Sequence, residues 1–124
     1  MRIYIWETQK NTQEAQMKDL SKAEEMVLLA IWRLKNKAYG VSIRRQILKD
    51  TGKDYTYGTL YGLLRQLAHK DYVEMIKGEP TPEKGGRSKN FFKITREGIQ
   101  ALKDALKLHR RIWKDTTEVS FDKI

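Results

Sequence analysis

At Asp71 the apolar residues of this 124-residue chain change their spacing, and that change limits the folds open to it. Just before it, Leu60, Leu63, Leu64 and Leu67 recur at i, i+3, i+4 and i+7, the spacing of one helical face. Just after it, residues 72–77 and 90–95 run with a period of two, as strands, with Phe92 and Ile94 sharing one face of the second. The segment between them, residues 78–89, is rich in Gly and Pro and long for a hairpin, which suits a functional loop better than filler.

The chain upstream predicts two more helices. Ser21 with Glu24 three residues on is a capping box, and Val27, Ala30, Ile31 and Leu34 continue it as an apolar face. Lys35, Asn36 and Lys37 break that pattern, and Tyr39-Gly40 forms a turn. A second helix follows with Ser42 as its cap, Ile43, Ile47 and Leu48 facing inward, and Gly52 ending it. Thr56 caps the third, whose outer face carries Gly58, Tyr61, Gly62, Arg65 and His69. Two glycines cost a helix interior up to about 1 kcal/mol each, a cost easier to understand if that face must approach another surface closely.

Thr95 caps a last helix, from 96 to about 115. Ile99, Leu102, Leu106 and Trp113 form one apolar stripe, and Ala101, Ala105, Leu108 and Ile112 form a second, roughly opposite. A surface helix of a small monomer needs only one buried stripe, so the second predicts dimerisation through Ala101, Ala105, Leu108 and Ile112. Residues 1–20 divide off as an N-terminal arm whose Tyr4 and Trp6 suit docking on a partner subunit, and residues 116–124 as a tail. The expected organisation is therefore mainly α with a small β-hairpin: a domain over 21–95, then a dimerisation helix over 96–115.

Charge indicates the partner. The chain carries 25 Lys and Arg against 16 Asp and Glu, a net +9. The first twenty residues are neutral, so the excess lies beyond them. Residues 84–96 alone hold Lys84, Arg87, Lys89, Lys93 and Arg96 with no acid. That run favours a polyanion. Two helices joined by a turn, the later one apolar-backed and basic-faced, form a helix-turn-helix, and a basic hairpin beside it forms a wing. Arg87 and Lys89 on a loop suit phosphate neutralisation, while Tyr61 and Arg65 on a rigid helix suit base edges or fixed phosphate contacts. Thr56 and Thr59 sit near that helix's N-terminus, where free N–H groups favour a phosphate oxygen, and Arg44, Arg45 and Lys49 on the second helix form either backbone clamps or a solvated face.

Other classes are excluded or weakened. With no Cys there is no disulfide framework, thiol nucleophile or Cys-type zinc site. His69 and His109 stand forty residues apart with no ligand spacing beside them, and neither phosphate-loop motif is present, so neither an enzyme nor a cofactor or metal site is expected. The longest apolar run, residues 26–32, is too short to span a bilayer, and the N-terminus lacks a signal-peptide pattern, so a cytoplasmic location is expected. The remaining alternative is a winged helix that binds RNA or a protein instead of DNA.

The stretch Tyr57-Gly58-Thr59-Leu60-Tyr61-Gly62-Leu63-Leu64-Arg65-Gln66-Leu67, followed by Gly85-Gly86-Arg87-Ser88-Lys89-Asn90-Phe91-Phe92-Lys93-Ile94-Thr95-Arg96-Glu97-Gly98, resembles the PadR family of bacterial transcription regulators. Glu25-Met26-Val27-Leu28-Leu29-Ala30-Ile31 and Tyr39-Gly40 are similar to that family's opening helix and turn. The resemblance covers about residues 21–113 and the family's compact branch with a single terminal helix. It implies a winged helix-turn-helix homodimer on palindromic promoter DNA, usually a repressor. By position, Thr59 and Tyr61 match the recognition-helix residues that face DNA and Arg87 and Lys89 the wing's basic pair, and Tyr57, which opens the matching stretch, is taken as a DNA-binding candidate with them. Gly62 stands where the family often has Pro. Some members hold flat aromatic effectors between terminal helices, a role Trp32 and Trp113 could serve.

Overall fold

A computed structural model describes residues 19–78 and 89–122. Helix α1 (Lys22–Leu34) begins as the capping box predicts: the Glu24 amide donates to Ser21 Oγ at 3.1 Å and the Ser21 amide to Glu24 Oε1 at 2.8 Å. Its buried face is Val27, Leu28, Ala30 and Ile31. A single 3-10 turn (Lys35–Lys37) leads into α2 (Gly40–Thr51). Ser42 does not cap α2 as expected. It lies inside the first turn, where its hydroxyl accepts from the Tyr39 amide at 2.9 Å and donates to the Lys37 carbonyl at 2.6 Å. Leu48 is also not inward, being 45% exposed. Ile43 and Ile47, four apart, set the buried line, and Leu48 lies about 100° round from it. Gly52 ends α2 in the left-handed region at φ 77°.

Thr56 caps α3 (Tyr57–His69), with Leu60, Leu64 and Leu67 buried and Leu63 half-buried. Strand β1 (Val73–Lys77) pairs antiparallel with β2 (Asn90–Ile94), Val73 opposite Ile94 and Met75 opposite Phe92. Both strands are one residue shorter than the sequence reading at the end nearest the helices. There Tyr72 and Thr95 tie the hairpin to its neighbours: the Thr95 amide donates to the Tyr72 carbonyl, and the Thr95 hydroxyl donates to the Asp71 carbonyl. On its other side, β2 receives the chain before α2, with the Phe92 amide donating to the Ala38 carbonyl and Tyr39 bridging Phe91.

Thr95 caps α4 (Arg96–Ile112), its hydroxyl accepting from the Gly98 amide at 3.0 Å. Gly98 is obligatory for close approach, because a Cβ there would strike the Tyr72 carbonyl. The helix ends three residues before the expected position, and a short α5 (Glu118–Asp122) follows where only a tail was expected.

The two stripes of α4 need correction. At 100° per residue they lie about 120° apart, as two edges of one broad face rather than opposite one another. Burial divides that face along its length. Ile99, Ala101, Leu102 and Ala105, drawn from both stripes, are partly buried, while Leu106, Leu108, Ile112 and Trp113 are exposed. A 17-residue helix is about 25 Å long, and the three-helix head covers only its first half.

Candidate nucleic-acid interface

The outer side of α3 is bare. Among the described residues, no atom outside the helix's own backbone stands within 4 Å of a Cβ built on Gly58 or Gly62, so both glycines face open space. Arg65 and His69 continue that strip along the exposed side. Tyr57 and Tyr61, four residues apart, form its edge toward α2, where they meet Arg44 and Gly40. At the helix start, Thr56 and Thr59 are turned toward each other. Thr56 Oγ1 accepts from the Thr59 amide at 3.2 Å and donates to Thr59 Oγ1 at 3.0 Å. Both remain exposed.

The wing joins this helix through Tyr39 and Gly40. Lys89, at the base of the hairpin loop, holds its ammonium 4.1 Å from the centre of the Tyr39 ring, and Phe91 meets the same ring edge-on at 5.8 Å. Gly40, the next residue, lies against the Tyr61 hydroxyl. Lys89, Tyr39, Gly40 and Tyr61 thus form one continuous line from wing base to recognition helix. Arg87, like the N-terminal arm through residue 18, lies outside the described residues.

Arg44 is not a bare clamp. Its Nε and one terminal nitrogen both reach Asp54 Oδ1 at 2.9 Å, and its guanidinium carbon sits 4.8 Å from the centre of the Tyr57 ring. Tyr57 foremost, with Asp54 behind it, pushes the pKa of the guanidinium above its already high ordinary value. The structure therefore joins Arg44 to Tyr57 and Asp54 at the α2–α3 corner and Lys89 to Tyr39 beside the Gly40–Tyr61 contact at the start of α2, with Thr56 and Thr59 at the start of α3 and Arg65 farther along.

Sequence reasoning missed Tyr39, Gly40 and Asp54. Tyr39-Gly40 was legible only as a turn, because its partners lie about twenty and fifty residues away. Asp54 carried one signal: it is the only acid between Thr51 and Lys70.

The two tryptophans do not meet within one chain. Trp32 lines an apolar groove of about 640 Å³ with Ile76, Phe91, Ile94 and Ile99. Trp113 lies at the far end of α4, stacked on His109 at 5.7 Å and meeting Phe121 edge-on at 6.2 Å. Among the described residues no helix is long and apolar enough to cross a membrane, and no three His, Asp or Glu gather as metal ligands.

Three helices, the third apolar-backed and bare outside, with an antiparallel hairpin beside them, define a winged helix-turn-helix. The chain belongs to the PadR-like family of transcriptional regulators, whose model matches residues 28–104. Members of this family regulate transcription by binding DNA and are not enzymes. Solved structures show the same fold. A PadR-like transcription factor from Bacteroides fragilis is 23% identical, with a TM-score of 0.62 over 82% of this chain and 91% of its own. A PadR family regulator from Clostridium difficile is 21% identical, with a TM-score of 0.59 over 73% of this chain and 91% of its own. RosR from H. salinarum is 24% identical, with a TM-score of 0.61 over 81% of this chain and 83% of its own. No curated protein matches the chain.

Proposed function

We propose that this chain is a homodimeric repressor that binds a palindromic promoter site in the cytoplasm. The observation that carries the reading is the line from Lys89 through Tyr39 and Gly40 to Tyr61, which sets wing base and recognition helix on one side of the head. The bare strip of Gly58, Gly62 and Arg65 beside it lets the α3 backbone come close to a groove wall. Arg65 and Tyr61 read the duplex from the helix, Thr56, Tyr57 and Thr59 meet phosphate at its start, and Arg87 and Lys89 neutralise phosphate from the wing.

The exposed apolar half of α4 supports the dimer. Leu108 and Ile112 would be covered by a second copy, with Ala101 and Ala105 lining the inner end of the same seam. A two-fold dimer puts its recognition helices in major grooves about 34 Å apart, or a multiple of that. The groove beside Trp32 has the volume and lining for a small aromatic effector, which would relieve repression by favouring an arrangement of half-sites that DNA does not accept.

The test is a mobility shift with duplex from the promoter region adjoining the gene, at two salt concentrations, with RNA of the same sequence as competitor. Binding that weakens steeply with salt and resists RNA is expected. Affinity indifferent to salt, or lost equally to RNA, overturns the reading.

A further inference from the structure

Asp54 sits in an unusual place for an acid. It is the only one between Thr51 and Lys70, at the corner where α2 hands over to the recognition helix, in a chain of net charge +9. A carboxylate there repels the phosphates that the rest of the face attracts. Asp54 does not cap α3, since Thr56 does. Its carboxylate is instead given to Arg44, which turns two donors onto the single oxygen Oδ1, both at 2.9 Å.

The guanidinium fork takes carboxylate and phosphate oxygens alike, so the two donors now spent on Asp54 Oδ1 are ones that a phosphate can claim. Tyr57 holds the guanidinium over its ring, 4.8 Å from the centre, a contact independent of the anion that fills the fork. The pair is open to exchange. Arg44 keeps 34% of its side chain exposed and Asp54 keeps 56%, and an exposed ion pair of this kind is weak.

We propose that Asp54 occupies on Arg44 the place that a DNA backbone phosphate takes when duplex docks. Asp54 is then a specificity residue acting through Arg44. Docking exchanges one anion for another, so Arg44 adds little to binding of arbitrary DNA. It counts only where the remaining contacts hold a phosphate in register with it. This rests on the DNA-binding reading above.

The test is a double-mutant cycle on the full chain: wild type, Asp54→Asn, Arg44→Ala and the double variant, each titrated with one arbitrary-sequence duplex from about 50 to about 200 mM salt. Thermal unfolding checks that all four fold. Asp54→Asn is expected to bind several-fold tighter, with a salt exponent steeper by about one. In the Arg44→Ala background the same change is expected to gain much less, only the repulsion that one carboxylate removes. An equal gain in both backgrounds makes Asp54 a general repulsive charge and overturns the proposal. Weaker binding by Asp54→Asn overturns it too, because Arg44 then needs Asp54 to stay in place. A wild type without salt-dependent binding defeats the DNA reading itself. A normal wild type matched by Asp54→Asn defeats only the exchange.

Discussion

The hydroxyl oxygen of Tyr61 stands 2.5 Å from where a Cβ on Gly40 would lie. Tyr61 belongs to the recognition helix and Gly40 begins the helix before it, so the absence of one carbon seats the ring. The neighbour of Gly40, Tyr39, carries Lys89 of the wing on its other side. One small residue thus sets the spacing between the two parts of the proposed DNA surface.

Gly40→Ala separates stability from binding. Alanine is worth up to about 1 kcal/mol over glycine in a helix, while the Tyr61 ring, 38% exposed, can swing away from the new methyl. The two effects oppose each other, so the melting temperature should move by only a few degrees. Binding to a specific site should fall about tenfold as Tyr61 leaves its position. Adding Tyr61→Phe, which removes the crowded oxygen, should recover part of that loss in an anisotropy titration. Unchanged affinity in Gly40→Ala would remove Tyr61 from the interface.

Acid should unfold this protein through Glu24. Its side chain is 2% exposed, with Oε1 paired to Lys70 Nζ at 2.8 Å and Oε2 without a hydrogen-bond partner among the described residues. Burial pushes its carboxyl up, but the Lys70 and Ser21 hydrogen bonds outweigh that and leave it below the ordinary 4.5. The unfolded chain therefore takes the proton first. Stability from this group is complete above about pH 4.5 and is lost as pH falls through the lower folded value. Melting temperature against pH should drop there in wild type and drop less in Glu24→Gln.

Lys70→Met leaves that carboxylate buried without its cation, a change that costs about 3–5 kcal/mol at neutral pH. Its melting temperature should fall by more than that of Glu24→Gln, which leaves an ammonium that still reaches water. Equal losses in the two variants would mean that the pair acts only by packing.

Leu108→Asp with Ile112→Asp should produce a monomer. Both residues are exposed on the single chain, Ile112 at 67%, so the head should keep its fold. Placing two charges in an apolar seam opposes association. Sedimentation reads the outcome, and a double variant that remains dimeric moves the seam elsewhere on the molecule.

Lys89→Ala with Arg87→Ala should weaken binding to every duplex alike and lower the salt exponent by up to about two. Salt titrations with a specific and an arbitrary duplex provide the comparison. A loss confined to the specific duplex would assign base reading to the wing instead.

Most of what could be read from the chain alone depends on near neighbours, the cap of α2 excepted, where Tyr39 and not Ser42 precedes the helix. Ser21 with Glu24, Thr56 with Thr59 and Thr95 with Gly98 are caps made within three residues, and each helix start they mark is real. The change of period at Asp71 likewise located the hairpin, since side-chain alternation is a property of a few consecutive residues. Leu48 went wrong because an apolar residue at the margin of a stripe is buried only if a neighbour reaches it. Tertiary structure decided that, and it decided how far the head covers α4. It also brought Glu24 to Lys70, Arg44 to Asp54 and Tyr39 to Lys89. These partners lie ten to fifty residues apart, where no periodicity connects them, and they meet only because packed helices and a paired hairpin leave each side chain one place to go.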